Sequence, residues 1–237
     1  MSHFDEFRKS VSDAASNIGS SAAEVGSRIS SSLDDASERT VRFRRFVRTG
    51  EDLYRSGAVS SHGGNLSESD GVAIWITRTN SMLGHLGNED VIETSWEPGA
   101  GDRDCSRELV VHRAVHHAFQ EHAQQTRSAI VHAHALHTIA CSLLSDAIVP
   151  VDSEGIFLLG EEGVPVIKPA ESIGSSEAAE MMAGLVSGGA HVAVIKGHGP
   201  FAVAPTMAEA LRYVSVLEAS CHVIAIRSVL QQSGWRG

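Results

Sequence analysis

The segment HVAVIKGHGPFAVA, residues 191–204, constrains the fold more than any other stretch of the sequence. Two short apolar runs flank a turn containing Gly197, Gly199 and Pro200. Runs of this length and composition read as buried strands, and so short a connection makes them an antiparallel pair. A sheet with this much apolar surface needs helices packed on it. The helical segments lie between the strands without a regular strand–helix–strand repeat. The expectation is therefore a layered α/β domain with a largely antiparallel or mixed central sheet.

Further strands are read at VAIWIT (72–77), SAIVHAH (128–134), GIFLL (155–159) and VPVI (164–167). Helices are read at 41–59, 106–122, 136–144, 175–187 and 206–231. The first turns Phe43, Phe46, Val47 and Leu53 inward and leaves Arg42, Arg44, Arg45 and Arg48 on a solvated face. The second turns Leu109, Val115 and Phe119 inward. Ser175 or Ser176 caps the fourth. The last, a helix or helix pair, carries Ala210, Tyr213, Val214 and Leu217 on one stripe.

Residues 1–40 read differently: they are rich in Ser and Ala and lack proline. Phe4, Phe7, Val11, Ala14, Ile18, Ala22, Val25, Ile29 and Leu33 recur at helical spacing. Gly19, Gly26 and the serines weaken that helix. The segment reads as a disordered tail or a docking helix, with the domain proper at 41–237.

A net charge of −10 argues against nucleic acid as a partner for the surface as a whole. Cys105, Cys141 and Cys221 form no CxxC pair and read as reduced thiols. No apolar stretch approaches the roughly 20 residues of a membrane span, and the N-terminus has no apolar leader segment. The expectation is a cytoplasmic protein.

Histidine placement carries the functional signal. His132 and His134 sit two residues apart, so both face the same side if the strand continues through them. His198 lies between two glycines at the end of another apolar strand, a natural supply of a third zinc ligand. Each also has an ordinary reading as a satisfied polar residue. Glu108 stands at the start of a helix after Ser106, where capping competes with catalysis. His137 is close in sequence and carries either a pocket or a packing role.

The ordered set SSHGGNLS, ITRTNSMLGHL, SRELVVHRAV, IVHAHALHT, PVDSEG, IKGHGPFAV, EAL and VLE, from about Val41 to about Ile226, resembles the class II aldolase/adducin family. It is most similar to the L-fuculose-1-phosphate aldolase-like members. The resemblance implies a three-layer α/β/α domain with a central, largely antiparallel sheet, and a homotetramer. It implies one Zn2+ per subunit on His132, His134 and His198, with Glu108 as acid/base and resting fourth ligand. The implied reaction is reversible aldol cleavage of a short ketose 1-phosphate, of fuculose or 5-deoxypentulose type, to dihydroxyacetone phosphate and an aldehyde.

The family's phosphate positions fall on Gly64, Asn65, Thr79, Asn80 and Ser106, with Ser60 and Ser61 nearby. Arg107 replaces a family serine and can add a charged phosphate contact or face solvent. Asn80 replaces a family glycine. Where aldolase members carry a tyrosine proton donor, this chain has Glu154, a second candidate catalytic residue. Lys196 requires no catalytic role. An epimerase, dehydratase or decarboxylase would share the metal site, and an adducin-like interaction module would share the fold without chemistry.

Overall fold

The computed structural model describes residues 36–235. The stripe read in residues 1–35 lies outside the described residues. The chain divides into two compact units, Met1–Arg44 and Arg45–Gly237. A helix, α1, runs through residues 36–55. In the first unit Arg42 pairs with Glu38 one turn away.

The second unit is built on an eight-stranded mixed sheet. In chain order the strands are β1 (Asn65–Ser69), β2 (Ile74–Thr77), β3 (Val91–Thr94), β4 (Ser128–His132), β5 (Ala147–Ile148), β6 (Val164–Ile167), β7 (Val192–Ile195) and β8 (Gly199–Ala204). Their spatial order is β3-β2-β1-β4-β8-β7-β6-β5. The β6–β7 pair is parallel and the other pairs are antiparallel. The remaining helices are α2 (Leu109–Ala123), α3 (Leu136–Leu144), α4 (Ser153–Leu159), α5 (Ser176–Ser187) and α6 (Met207–Gln232).

Period-two alternation sorts the central strands into two cores. Ile130, Ala193, Ile195, Phe201 and Val203 pack with Val115 and Phe119 of α2 and Met182 of α5. Their neighbours Val131, Val194, Ala202 and Ala204 pack with Phe46 and Leu53 of α1 and Met207, Val214 and Leu217 of α6. Helices therefore cover both faces, as the three-layer reading expects. Because both faces are buried, the central strands read as continuous apolar runs.

Several local expectations are corrected. GIFLL is helical: Asp152 caps α4 by accepting from the Gly155 N–H at 2.8 Å, which starts a turn the apolar run alone does not reveal. Val72 lies in a turn, where Asp70 Oδ1 accepts its N–H, and β2 begins at Ile74. Two of the four arginines read as a solvated face depart from it: Arg42 is buried, and Arg45, half-buried, forks its guanidinium onto both oxygens of the buried Glu68 at 2.7 and 2.6 Å. The strands β1, β3 and β5 are absent from the sequence reading because NLSES, VIET and AI are short or polar.

The membrane reading is also corrected. Among the described residues one helix, α6, is long and apolar enough to cross a membrane by length and composition. Its stretch from Met207 to Cys221 buries Met207, Ala210, Val214, Leu217 and Cys221 in the domain.

Candidate metal centre

His132, the last residue of β4, projects to the same side as Ile130 and lies stacked on Phe201, ring centroids 3.9 Å apart. The strand ends there, but one more ladder bond, Ala133 N–H to Pro200 O at 3.2 Å, keeps the next residues extended. His134 therefore returns to the same side although it lies beyond β4. His198 sits in the β7–β8 turn. One ligand atom from each of His132, His134 and His198 falls within 4.8 Å of the others. Gly199 permits this approach: its φ is +146° and a Cβ there would lie 2.1 Å from Ala133 O.

Glu108 meets two of the three rings from the start of α2. Its Oε2 is 3.1 Å from His132 Nε2 and its Oε1 is 3.6 Å from His198 Nε2. The protons are assigned by what the far nitrogens face. His132 Nδ1 lies 2.9 Å from Pro200 O, and His198 Nδ1 lies 3.0 Å from Ser172 O. A carbonyl only accepts, so both Nδ1 atoms carry hydrogen, and in the neutral rings both Nε2 atoms then present lone pairs. Backbone carbonyls commonly orient metal-binding imidazoles in this way.

Glu108 Oε1 and His132 Nε2 are buried and have no hydrogen-bond partner. The lone pairs of His132 Nε2 and the carboxylate, 3.1 Å apart in a buried place, call for a cation between them. The donor set, three imidazoles and a carboxylate, is one that zinc accepts. Burial and the nearby His132 and His198 push the His134 pKa down to about 4. Burial likewise lowers that of His198. Burial pushes the Glu108 carboxyl up, but His132, His198 and the Asn65 hydrogen bond outweigh it and hold the group well below the carboxylate range. At neutral pH Glu108 is therefore a carboxylate, and His134 and His198 are neutral imidazoles with one free lone pair each.

The capping role of Glu108 does not hold. Its backbone occupies the N-cap, but its side chain makes no capping hydrogen bond. The carboxylate turns into the cluster, where Asn65 Nδ2 donates to Oε2 at 2.7 Å.

A cavity of about 200 Å³ opens above the cluster. Gly64, Asn65, Thr79, Asn80, Ser106 and Arg107 all line it, with His134, His198 and Glu108. The loop before α2 is zipped to the end of β2 by Thr79 N–H to Asp104 O and Ser106 N–H to Thr77 O, which pairs Arg78 with Cys105 and brings Ser106 to the cavity opposite Thr77. Asn80 has φ +60°, a left-handed backbone that glycine favours and asparagine tolerates. The change from the family glycine thus preserves the turn. Asn65 differs from its sequence reading: its amide is held between Glu108 and His112. Arg107 is exposed at the rim.

Three other residues considered in the sequence lie outside the cavity. Glu154 is exposed in the first turn of α4 and does not line the cavity. His137 pairs with Glu218 at 2.7 Å and stacks on His222 at 4.1 Å. Lys196 binds Asp146 at 2.9 Å. Four lining residues are not among those the sequence singles out: Ser81, Ile173 and two charged or titratable ones, Arg78 and His62. The motifs RTN and SHGGN draw attention to their neutral donors, and the charged or titratable residue within each is the signal that would have found these two.

The profile of the class II aldolase and adducin N-terminal domain matches residues 44–225. The chain belongs to the class II aldolase and adducin family. An L-fuculose phosphate aldolase from Methanococcus maripaludis is 28% identical over 173 residues, 73% of this chain and 90% of the relative. The crystal structure of L-fuculose-1-phosphate aldolase from Thermus thermophilus superposes with a TM-score of 0.74 at 29% identity, covering 82% of this chain and 97% of that one. A sugar-phosphate aldolase from Thermotoga maritima, at 19% identity and a TM-score of 0.68 over 85% of this chain and 99% of that one, shares the fold. The chain is an enzyme of class II aldolase type. Such aldolases are metal-dependent, and the histidine cluster fits a metal site.

The buried imidazoles give the fold an acid limit. Burial lowers the His112 pKa to about 3 and that of His116 well below its ordinary value. The unfolded chain binds these protons near pH 6.5, so below that pH it gains protons the folded chain lacks. Stability is therefore full above about pH 6.5 and falls by about 1.4 kcal/mol per pH unit for each such group as pH drops. Melting temperature should be flat between about pH 8 and 7 and fall steeply between about 6.5 and 5. An unchanged melting temperature at about pH 5 would remove these groups from the acid response.

Proposed function

We propose that the protein catalyses reversible, zinc-dependent aldol cleavage of a short ketose 1-phosphate, of fuculose or 5-deoxypentulose type, to dihydroxyacetone phosphate and an aldehyde. His132, His134 and His198 hold one Zn2+ per subunit, with Glu108 within reach as fourth ligand. The observation that carries this reading is the pair of bare Nε2 atoms aimed at the buried carboxylate of Glu108, at the base of a cavity lined by Thr79, Asn80, Ser106 and two arginines. When bound there, the cation supplies Lewis acidity to a substrate carbonyl.

The chain's own residues do the rest. Asn65 fixes Oε2 of Glu108, so Oε1 is the atom free to move a proton. In the synthetic direction Oε1 takes the proton from the carbon beside the ketose carbonyl, and in cleavage it returns it. The phosphate rests on neutral donors from Gly64, Thr79, Asn80 and Ser106, with Arg78 and Arg107 adding charge. Asn65 contributes by holding Glu108. Glu154 can serve as the second proton carrier only across a subunit boundary in a homotetramer. The enzyme is cytoplasmic, and residues 1–35 are dispensable for the chemistry.

Metal-supplemented protein is incubated with fuculose- and 5-deoxypentulose-type 1-phosphates, and products are resolved by mass and by reduction of released dihydroxyacetone phosphate. We expect stoichiometric ketone phosphate and aldehyde, from the full chain and from a variant lacking residues 1–35. Epimer, dehydrated product or carbon dioxide would reassign the reaction. Absence of any conversion by a protein that binds the metal would overturn the aldol reading and favour an interaction module.

A further inference from the structure

Behind Glu108 the core contains polar groups that the reaction does not use. From the N-cap of α2 onward, Glu108, His112, His116 and Gln120 follow one another at four-residue spacing, so they share one face. On β1, Asn65 and Ser67 share one face. The two rows interlock. Asn65 Nδ2 donates to Glu108 Oε2 at 2.7 Å, and Asn65 Oδ1 meets His112 Nε2. Ser67 Oγ lies 2.6 Å from His112 Nδ1 and 2.7 Å from His116 Nε2. His116 Nδ1 lies 2.6 Å from Ser128 Oγ, which Gln120 Nε2 approaches at 2.9 Å. His112, His116 and Ser67 are fully buried.

Elementary donor and acceptor rules give every bond a direction. An ionised carboxylate only accepts, so the Asn65 nitrogen must face Glu108 and its oxygen must face His112. His112 then carries its hydrogen on Nε2. A ring buried without a counter-ion stays neutral, so Nδ1 is bare and accepts from the Ser67 hydroxyl. Ser67 Oγ can then only accept from His116, which must also carry hydrogen on Nε2. His116 Nδ1 accepts from Ser128, whose oxygen accepts from Gln120. Each donor points toward Glu108.

We propose that Asn65, His112, Ser67, His116 and Ser128 are positioning residues. Together they form a one-way hydrogen-bonded chain that ties Oε2 of Glu108 down and leaves Oε1 as the oxygen that moves a proton. The chain is no proton relay, because the Asn65 amide neither gains nor loses a proton at neutral pH. Glu108 exchanges protons only on its cavity side. Hydrogen bonds in series polarise one another, so a break two links away reaches the carboxylate. This inference rests on Glu108 being the base.

The test uses the zinc-loaded full chain with 15N-labelled histidine. Long-range proton–nitrogen correlations should show both His112 and His116 as Nε2–H tautomers. Ser67→Ala should mix the His112 tautomers and lower kcat roughly 10-fold, as loss of an orienting partner does, with KM and zinc content nearly unchanged. Ser67→Thr, which restores the hydroxyl, should recover both. His112 found as the Nδ1–H tautomer overturns the chain, as does an unchanged kcat in a zinc-loaded Ser67→Ala protein. If Ser67→Ala does not fold, the tautomers of the unaltered protein and the kcat of Ser128→Ala decide. A protein with the assigned tautomers that cleaves no ketose phosphate overturns the proposed reaction and leaves the chain standing.

Discussion

Glu108→Gln should retain zinc and lose turnover by roughly 10²–10⁴-fold, the usual cost of a missing general base. The direction follows from the surroundings of the two oxygens. Asn65 donates to Oε2 at 2.7 Å, so the glutamine oxygen is drawn to that position and its NH2 group occupies the place of Oε1. That nitrogen can neither take up a proton nor carry charge. The three imidazoles are untouched, so elemental analysis should still find about one zinc per chain. Had the side chain capped α2, the variant would instead lose about 1 kcal/mol of stability with turnover intact. The carboxylate makes no capping bond, so the melting curve should carry little of the effect. Near-normal kcat in a zinc-replete Glu108→Gln protein would remove Glu108 from proton transfer.

The part of this centre that the sequence reveals is the part that uses one-dimensional spacing. His132 and His134 are two residues apart on an extended segment, and His198 sits at a glycine turn; both patterns are legible without coordinates. The apolar runs of β4, β7 and β8 are legible because both faces of these strands are buried. What escapes reading depends on partners far apart in the chain. β1 is polar because its Asn65 and Ser67 belong to the chain behind Glu108, so its composition follows from a helix that begins only at Leu109. The stripe Glu108, His112, His116 and Gln120 stands at four-residue spacing in the sequence. Without β1 beside it, it reads as a polar face to be solvated. Arg45 misleads for the same reason: its partner Glu68 lies 23 residues away. GIFLL fails differently, since a single capping contact from Asp152 chooses helix over strand for a segment with no decisive period.

His134→Ala should abolish stable zinc binding, and it separates a metal centre from a cluster of packed imidazoles. His132 and His198 are each anchored by a backbone carbonyl through Nδ1, whereas His134 reaches the cluster from just beyond the end of β4. Removing it leaves two imidazoles and Glu108, too few protein donors for a closed four-coordinate site. Loss of an outer-shell partner alone typically costs roughly 10–100-fold in metal affinity, so loss of a direct ligand should exceed about 100-fold. His137→Ala is the matched control. It lies three residues on, but its ring is committed to Glu218 and His222 and should keep zinc at the level of the unaltered protein. Both variants would be purified with added zinc, dialysed together and analysed for metal, with melting temperature as the check on folding. If folded His134→Ala holds zinc as tightly as the unaltered protein, the ion does not sit on the β4 histidines. If His137→Ala loses it instead, the centre lies at the start of α3.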